Sequence, residues 1–370
     1  MRTRKVAPPQ RQPNSRLNPQ WSESARSATS SIEAQFDKHP HRPFRGVPVR
    51  VEPDTLRSLS RIRLQRALGA VLGDWFIIGA AIGTCELLLC HPLAVVAAVF
   101  LIGSRQHALA IVVHDAVHYR FLPNKKWNDW VANLLAAWPT FIEVELFRAV
   151  HALHHRYLGE RTDGNRVAWA THDQKGQITS EWEYPKSRSG LVLKLMRRSA
   201  VITGLCWIRR GLRAPLILQW PHWKSSVFFG YYVIAIVTLL AFGLGLKALM
   251  YWAVPYCTWH IAAQYIRLIC EHSGHIADDR DFNGTRSTLP GMLGSFFILP
   301  HNVGYHIEHH WYPSVPWYNL PALHGALSEA PLFSKANVQR SISAALRQCV
   351  ADHSSRFLAS LRQPQSERSH

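Results

Sequence analysis

A helix that crosses a membrane needs roughly 20 consecutive, largely apolar residues, and this chain offers such runs in two closely spaced pairs. Asp74 to Cys90 (DWFIIGAAIGTCELLLC) and Pro92 to Val113 flank His91-Pro92 and read as one helical hairpin. Val227 to Leu246 (VFFGYYVIAIVTLLAFGLGL) and Ala248 to Cys270 read as a second, turning at Gly243 to Lys247. The expectation is an all-α integral membrane protein with about four crossings in two hairpins. Glu86 inside the first run is tolerable at the membrane edge or against other helices. Trp130 to Phe147 and Leu289 to Pro300 are apolar but short or interrupted, which suits an interfacial position.

Charge sets the expected orientation. Lys and Arg number 42 against 24 Asp and Glu, a net +18. Nucleic acid is the weaker explanation, because long apolar runs interrupt basic residues spread over both termini and the middle. The segment 104–226 and both termini carry nearly all the Lys and Arg, so they are expected on the cytoplasmic side. Residues 1–50 are rich in Arg, Pro, Ser, Gln and Asn and lack hydrophobic periodicity, the pattern of a disordered basic tail. The start has no apolar stretch of the kind a secretory signal needs. The six cysteines, Cys85, Cys90, Cys206, Cys257, Cys270 and Cys349, form no C-x-x-C pair and no regular spacing, which argues against a disulfide framework.

Three histidine clusters stand outside this apolar pattern: His114-Asp115-Ala116-Val117-His118, His151-Ala152-Leu153-His154-His155 and His306-Ile307-Glu308-His309-His310. Residues three or four apart share a helix face. His114 and His118 can therefore address one ion, and His151, His154 and His155 make one stripe, as does the repeat of that spacing at 306–310. Eight such ligands, with His272 at the end of the fourth apolar run as a ninth, exceed the four that a single zinc takes and suit two ions. His275 is held in reserve. Imidazole serves Fe, Cu, Zn or Ni, so ligand type does not name the metal. Scattered histidines such as His107, His260, His301 and His324 are expected to be hydrogen-bonded structural residues. Metal storage would not need matched helical spacing on four segments.

The segments HDAVH, HALHH and NVGYHIEHHWYPSVPW resemble the three histidine boxes of the membrane fatty acid desaturase and hydroxylase superfamily, in the same order relative to two membrane hairpins. The likeness covers roughly residues 65–330, leaving 331–370 as a cytosolic C-terminal helix and tail. Three residues rather than four separate the histidines of the first box, a variant that blurs the substrate assignment. The resemblance implies a cytosolic helical cap holding two iron ions on His114, His118, His151, His154, His155, His272, His306, His309 and His310. Asn302, four before His306, is a candidate for supporting the centre through water or a hydrogen bond.

It further implies an O2-dependent oxidation of a fatty acyl or other lipid chain, with desaturation expected ahead of hydroxylation or carotenoid-type ketone formation. A metal-dependent hydrolase or a non-catalytic lipid-binding relative is the alternative of another class; no H-E-x-x-H motif supports hydrolysis. Without a Cys cluster or haem domain, electrons are expected from a separate ferredoxin- or cytochrome-like donor with its reductase. That donor would dock on a basic face around Arg148, Arg156, Arg161 and Lys175. Trp138, Trp169, Trp182 and Trp311 are candidates for lining a substrate tunnel or for anchoring at the interface.

Overall fold

The computed structural model describes residues 47–158, 163–165, 184–273 and 284–350. These are mostly helical, with a single two-residue strand pair. Among the described residues three helices are long and apolar enough to cross a membrane: α1 (Leu64–Leu87), α2 (Pro92–Val117) and α3 (His222–Ala241). Phe76, Leu87, Leu93, Ile234 and Leu240 on their outer faces are exposed. Such a belt is costly in water and at ease among lipid chains.

The fourth expected crossing differs from the other three. Residues 245–272 are helical throughout, but wide turns at Leu249–Ala253 and Tyr256–His260 interrupt the α-helical pattern. Each wide turn accommodates an extra residue within the helix. The last stretch, α4 (Ile261–His272), is regular and mostly buried, and carries Gln264, Arg267 and Glu271 among its apolar residues. Its mixed polarity sets it apart from the three apolar spans.

Helix α2 is the centre of the packing. His91 Nδ1 accepts the Leu93 N–H at its start, with Pro92 in the first turn where a missing N–H costs nothing. From Ile102 to Val117 every residue is buried. Gly103 allows the 245–272 helix to come close: a Cβ there would lie 3.0 Å from Trp259 Cβ and 3.1 Å from the His260 nitrogen. Polar ties fix the crossing, Gln106 Nε2 donating to Trp252 O (3.0 Å) and Trp259 Nε1 to Ser104 Oγ (2.8 Å). The buried Asp74 of α1 joins Arg105 (3.1 Å) and His301 (2.7 Å), pinning the first hairpin to the turn before the third histidine cluster.

Three further helices complete the frame around the histidines. α5 (Val144–Arg156) follows a turn in which Phe141 takes a left-handed conformation, φ 54°. α6 (Val201–Leu212) lies against the wide turn at 256–260. α7 (His306–Trp311) begins after two left-handed residues, His301 and Asn302.

Described residues near both ends of the chain close over α7. Val49, Leu56, Trp311, Tyr312, Leu323 and Phe333 share one apolar cluster. Tyr312 OH donates to Val49 O (2.9 Å) and accepts from the Val51 N–H (3.1 Å). Strand β1 (Ser287–Thr288) pairs in parallel with β2 (Val338–Gln339), and the helical residues 342–350 set Ala345 and Cys349 against α4. Residues 47–51 and 331–350 thus pack on the same body as the histidine-bearing helices. The rest of the expected basic tail and the segment 351–370 lie outside the described residues.

Candidate metal centre

Each histidine cluster sits where a helix ends or begins. His114 lies in the last turn of α2 and His118 caps it, their ring centroids 5.5 Å apart. Asp115 between them turns away and accepts the Trp317 N–H at 2.9 Å, which ties the first cluster to the segment after the third. Glu143 starts α5 by accepting the Leu146 N–H at 2.7 Å, and the helix then carries His151, His154 and His155. α7 carries His306, His309 and His310, and His272 is the last residue of α4.

These side chains gather into two buried groups. His114, His118, His151 and His309 form one; His154, His272, His306 and His310 form the other, with nitrogens inside each group lying within 4.8 Å of one another. His155 Nε2 stands 2.9 Å from His151 Nε2 and 3.1 Å from His309 Nε2, which attaches it to the first group. Neither H-x-x-H-H segment serves one group only. His151 and His155 go one way and His154 the other, while His306 and His310 go one way and His309 the other. At about 100° per residue the i and i+4 positions lie some 40° apart, whereas i+3 falls on the opposite side of i by some 60°. The single stripe expected from spacing is therefore two diverging edges.

The donor set fits metal ions. Burial, followed by the neighbouring histidines or Arg267, holds the imidazoles of His151, His155, His306, His309 and His310 well below the usual histidine range, so these rings are neutral. In the second group two outer nitrogens face acceptors, His154 Nδ1 meeting Asp163 at 2.9 Å and His272 Nδ1 meeting Gly284 O at 3.4 Å, while His306 Nδ1 lies 3.5 Å from Glu271 without a hydrogen bond. A proton held on Nδ1 leaves Nε2 as a bare lone pair. Yet His272 Nε2 is 2.8 Å from His306 Nε2 and 3.1 Å from His154 Nε2, and His306 Nε2 is 3.1 Å from His310 Nε2. Lone pairs brought this close repel unless a cation lies between them. Adjacent ligands at about 2.1 Å from one ion and at right angles to each other are about 3 Å apart, which matches these separations.

Carboxylates and one arginine brace the shell. Glu308, buried inside the third cluster, accepts from Ser287 Oγ (2.5 Å) and from His324. Arg286 is fully buried and donates to Ser273 O (2.6 Å) and Ile269 O (3.1 Å), closing the end of α4 beside His272. Sequence reasoning missed Asp163, Glu271 and Arg286. Glu271 adjoins His272 and could have been found; nothing in the spacing of the other two marks them.

A cavity of about 110 Å³ abuts both groups, touching His151, His154 and His306. Leu146, Phe147 and Val150 of α5, Trp207 and Arg210 of α6, and Gln264, Arg267 and Glu271 of α4 help to line it. Glu143 also lines it, and burial pushes its carboxyl up to about 7.

Other sequence expectations fall elsewhere. Asn302 donates to Trp317 O (3.3 Å) and belongs to neither histidine group. Arg148 is a correction: it is buried, donates to Asp129 at 2.6 Å and to the carbonyls of Val117 and Ala116, and braces the first cluster rather than offering a docking charge. Arg156 is exposed. Trp138 and Trp311 are buried away from the cavity wall. His301 and His324 pair with Asp74 and Glu308, and His107 and His260 lie edge to face in the bundle. His275, Arg161, Lys175, Trp169 and Trp182 lie outside the described residues.

Comparison with known proteins adds an independent line. Residues 91–340 match the family model described as fatty acid desaturase. The chain is similar to the dihydrorhizobitoxine desaturase of Bradyrhizobium elkanii, with 25% identity over 81% of this chain and 87% of that protein. It is also similar to the beta-carotene ketolase of Paracoccus sp. (strain PC1), at 28% identity over 62% of this chain and 79% of the ketolase. A sphingolipid delta(4)-desaturase of Rattus norvegicus shares 29% identity over 60% of this chain and 62% of its own length.

Proposed function

The chain belongs to the fatty acid desaturase family of membrane oxidoreductases, and from that premise we propose that it is an O2-dependent lipid desaturase with a histidine-held di-iron centre. The observation that carries this reading is the pair of buried histidine groups, nitrogens converging, at the wall of one cavity. His114, His118, His151, His155 and His309 would hold one ion, and His154, His272, His306 and His310 the other. Iron, when bound there, supplies the one-electron redox chemistry that removal of hydrogen from an unactivated carbon requires and that zinc lacks.

The protein's own residues then have defined tasks. Leu146, Phe147 and Val150 give the hydrocarbon part of a substrate an apolar wall beside the histidines and keep water from it. Asp163 and the Gly284 carbonyl hold protons on the outer nitrogens of His154 and His272. In desaturation, a –CH2–CH2– unit, one O2, two electrons and two protons give –CH=CH– and two waters. Hydroxylation uses the same inputs and gives one alcohol and one water. The electrons come from a separate ferredoxin- or cytochrome-like donor with its reductase.

We place the 65–330 domain in the membrane with four crossings, counting 248–270, and with the histidine groups and both termini cytoplasmic. The similarity to a beta-carotene ketolase keeps oxygen insertion as the second reading. Expression in a bacterial host, followed by lipid mass spectrometry against a His309→Ala control, decides between them. A His309-dependent loss of two hydrogens from an acyl chain supports desaturation, and a gain of oxygen supports the second reading. Purified protein that carries zinc in place of iron would move the chain to hydrolysis and refute both.

A further inference from the structure

Helix α6 has two unlike edges. Gly204 and Gly211 form the inner one: a Cβ on Gly204 would lie 2.5 Å from Cys257 Cα, and one on Gly211 would overlap Phe141 O. Approaches this close admit only glycine, so this edge is pressed against the 245–272 helix and the turn before α5. Trp207 and Arg210, beside that edge, line the cavity next to the histidines. On the opposite edge Ile202, Leu205, Arg209 and Arg213 fall at i, i+3, i+7 and i+11, apolar in the first half, cationic in the second, and all exposed. The helix Arg188–Arg198 packs beside α6. It sets Leu191 and Leu195 against Tyr265 and leaves Val192, Leu193 and Met196 more than half exposed.

Depth decides what covers this outer edge. Cys257, against which Gly204 rests, is ten residues from Lys247, which lies in the turn at the far end of the 245–272 helix from the histidines. Ten residues span at most about 15 Å of helix. A hydrocarbon layer is about 30 Å thick, so in the four-crossing arrangement proposed above α6 enters that layer at Gly204. Ile202 and Leu205 then meet lipid chains, where a soluble protein partner does not reach.

Charge narrows the class of lipid. From 184 to 270 the chain has no Asp or Glu, while 186–224 holds nine Lys and Arg. Some of these are engaged: Lys224 pairs with Glu145, and Arg198 and Arg210 lie over the rings of Tyr265 and Trp207. The guanidinium groups of Arg209 and Arg213 are exposed and have no partner among the described residues. A long arginine side chain leaves its stem in the apolar layer and lifts its charge to the headgroups. Two of them on successive turns of one edge match an anionic phosphate. We propose that α6, with the helix Arg188–Arg198 beside it, is an in-plane binding surface for anionic phospholipids of the cytoplasmic leaflet, with Arg209 and Arg213 on the phosphate. This goes beyond the oxidoreductase reading and rests only on its membrane placement. The bound lipid stands one helix away from the cavity that Trp207 and Arg210 line.

The test is lipid binding, independent of turnover. The full-length protein is placed in nanodiscs of equal phosphatidylcholine and phosphatidylglycerol, and the lipids it retains are identified by native mass spectrometry. Phosphatidylglycerol is expected to be retained about tenfold over phosphatidylcholine. Arg209→Gln combined with Arg213→Gln should erase that preference, and Arg209→Lys combined with Arg213→Lys, which keeps the charge, should retain most of it. Lys335→Gln combined with Arg340→Gln removes the same charge from exposed positions elsewhere and should change nothing. Depth is read separately at Cys206, exposed beside Leu205. In the nanodiscs a charged maleimide should label it about tenfold more slowly than a lipid-soluble one, because charge is excluded from the hydrocarbon layer; Cys206→Ser identifies the labelled site. Equal retention of the two lipids by the wild type, a preference that survives the double glutamine substitution, or equal labelling by the two maleimides overturns the proposal. Binding of an acidic carrier protein that needs Arg209 and Arg213, without any lipid preference, overturns it in favour of a protein partner. Iron content measured on the same samples reports on the di-iron reading independently of these outcomes.

Discussion

The hydrogen bond between His154 Nδ1 and Asp163 offers a way to disturb one metal position and spare the other. The contact is 2.9 Å long, and the two side chains are 2% and 5% exposed, so water does not replace a lost partner. Asp163→Asn keeps the size of the side chain and an oxygen able to accept the Asn165 N–H, which Asp163 accepts at 2.9 Å. It removes the negative charge that makes His154 a strong donor. Loss of such a carboxylate partner weakens metal affinity 10- to 100-fold, about 1.4–2.7 kcal/mol. His154 belongs to the group with His272, His306 and His310, so only that ion should loosen. Iron content followed by mass spectrometry during chelator titration should fall in two separated steps in the variant, with the early step shifted by one to two decades. A titration superimposable on the wild type, or loss of both ions in one shifted step, would refute the assignment of His154 and Asp163 to one position.

Two further perturbations test the frame and the cavity wall. Burial raises the Glu143 carboxyl to about 7 from the 4.5 of an exposed glutamate. Between these values the folded protein holds a proton that the unfolded chain has released. This stabilising contribution is complete below about pH 4.5 and is lost as pH rises to 7, on the order of 3 kcal/mol in all. The stability of the wild type relative to Glu143→Gln, measured in detergent by denaturant, should therefore drop from pH 5 to pH 8; a constant difference contradicts the raised value. Arg286→Met strips the carbonyls of Ile269 and Ser273 of a charged donor, and bonds of this kind contribute roughly 1.5–3 kcal/mol each. A loss of about 3 kcal/mol is expected, with earlier release of the ion held by His272; a loss under about 1 kcal/mol would show that the helix end does not depend on it.

The sequence made the apolar hairpin of α1 and α2 and the three histidine clusters legible, because hydrophobic run length and helical spacing are both local properties. The allocation of histidines was not local. Spacing places His151, His154 and His155 together on one side of α5, but which ring faces which partner depends on the angle at which α7 crosses it. Arg148 shows a similar limit: a buried bond to Asp129 and an exposed docking charge are the same letter in a sequence. Asp163 and Arg286 act across folds in the chain, 9 and 17 residues from His154 and Ile269. The run at 248–270 reads as an apolar crossing by composition, whereas its wide turns and the polar face of α4 depend on what packs against it.

The interleaving of the two groups also has a consequence in time. The first group takes His114, His118 and His151 from the early part of the chain and His309 from near its end. At 5–20 residues per second of synthesis, the ribosome needs roughly 8–32 s to travel from His151 to His309. Throughout that interval the nascent chain presents an incomplete triplet to whatever ions the surroundings contain. In the proposed assignment neither metal position closes until α7 arrives, so the choice of ion would be completed only when residues 306–310 are in place.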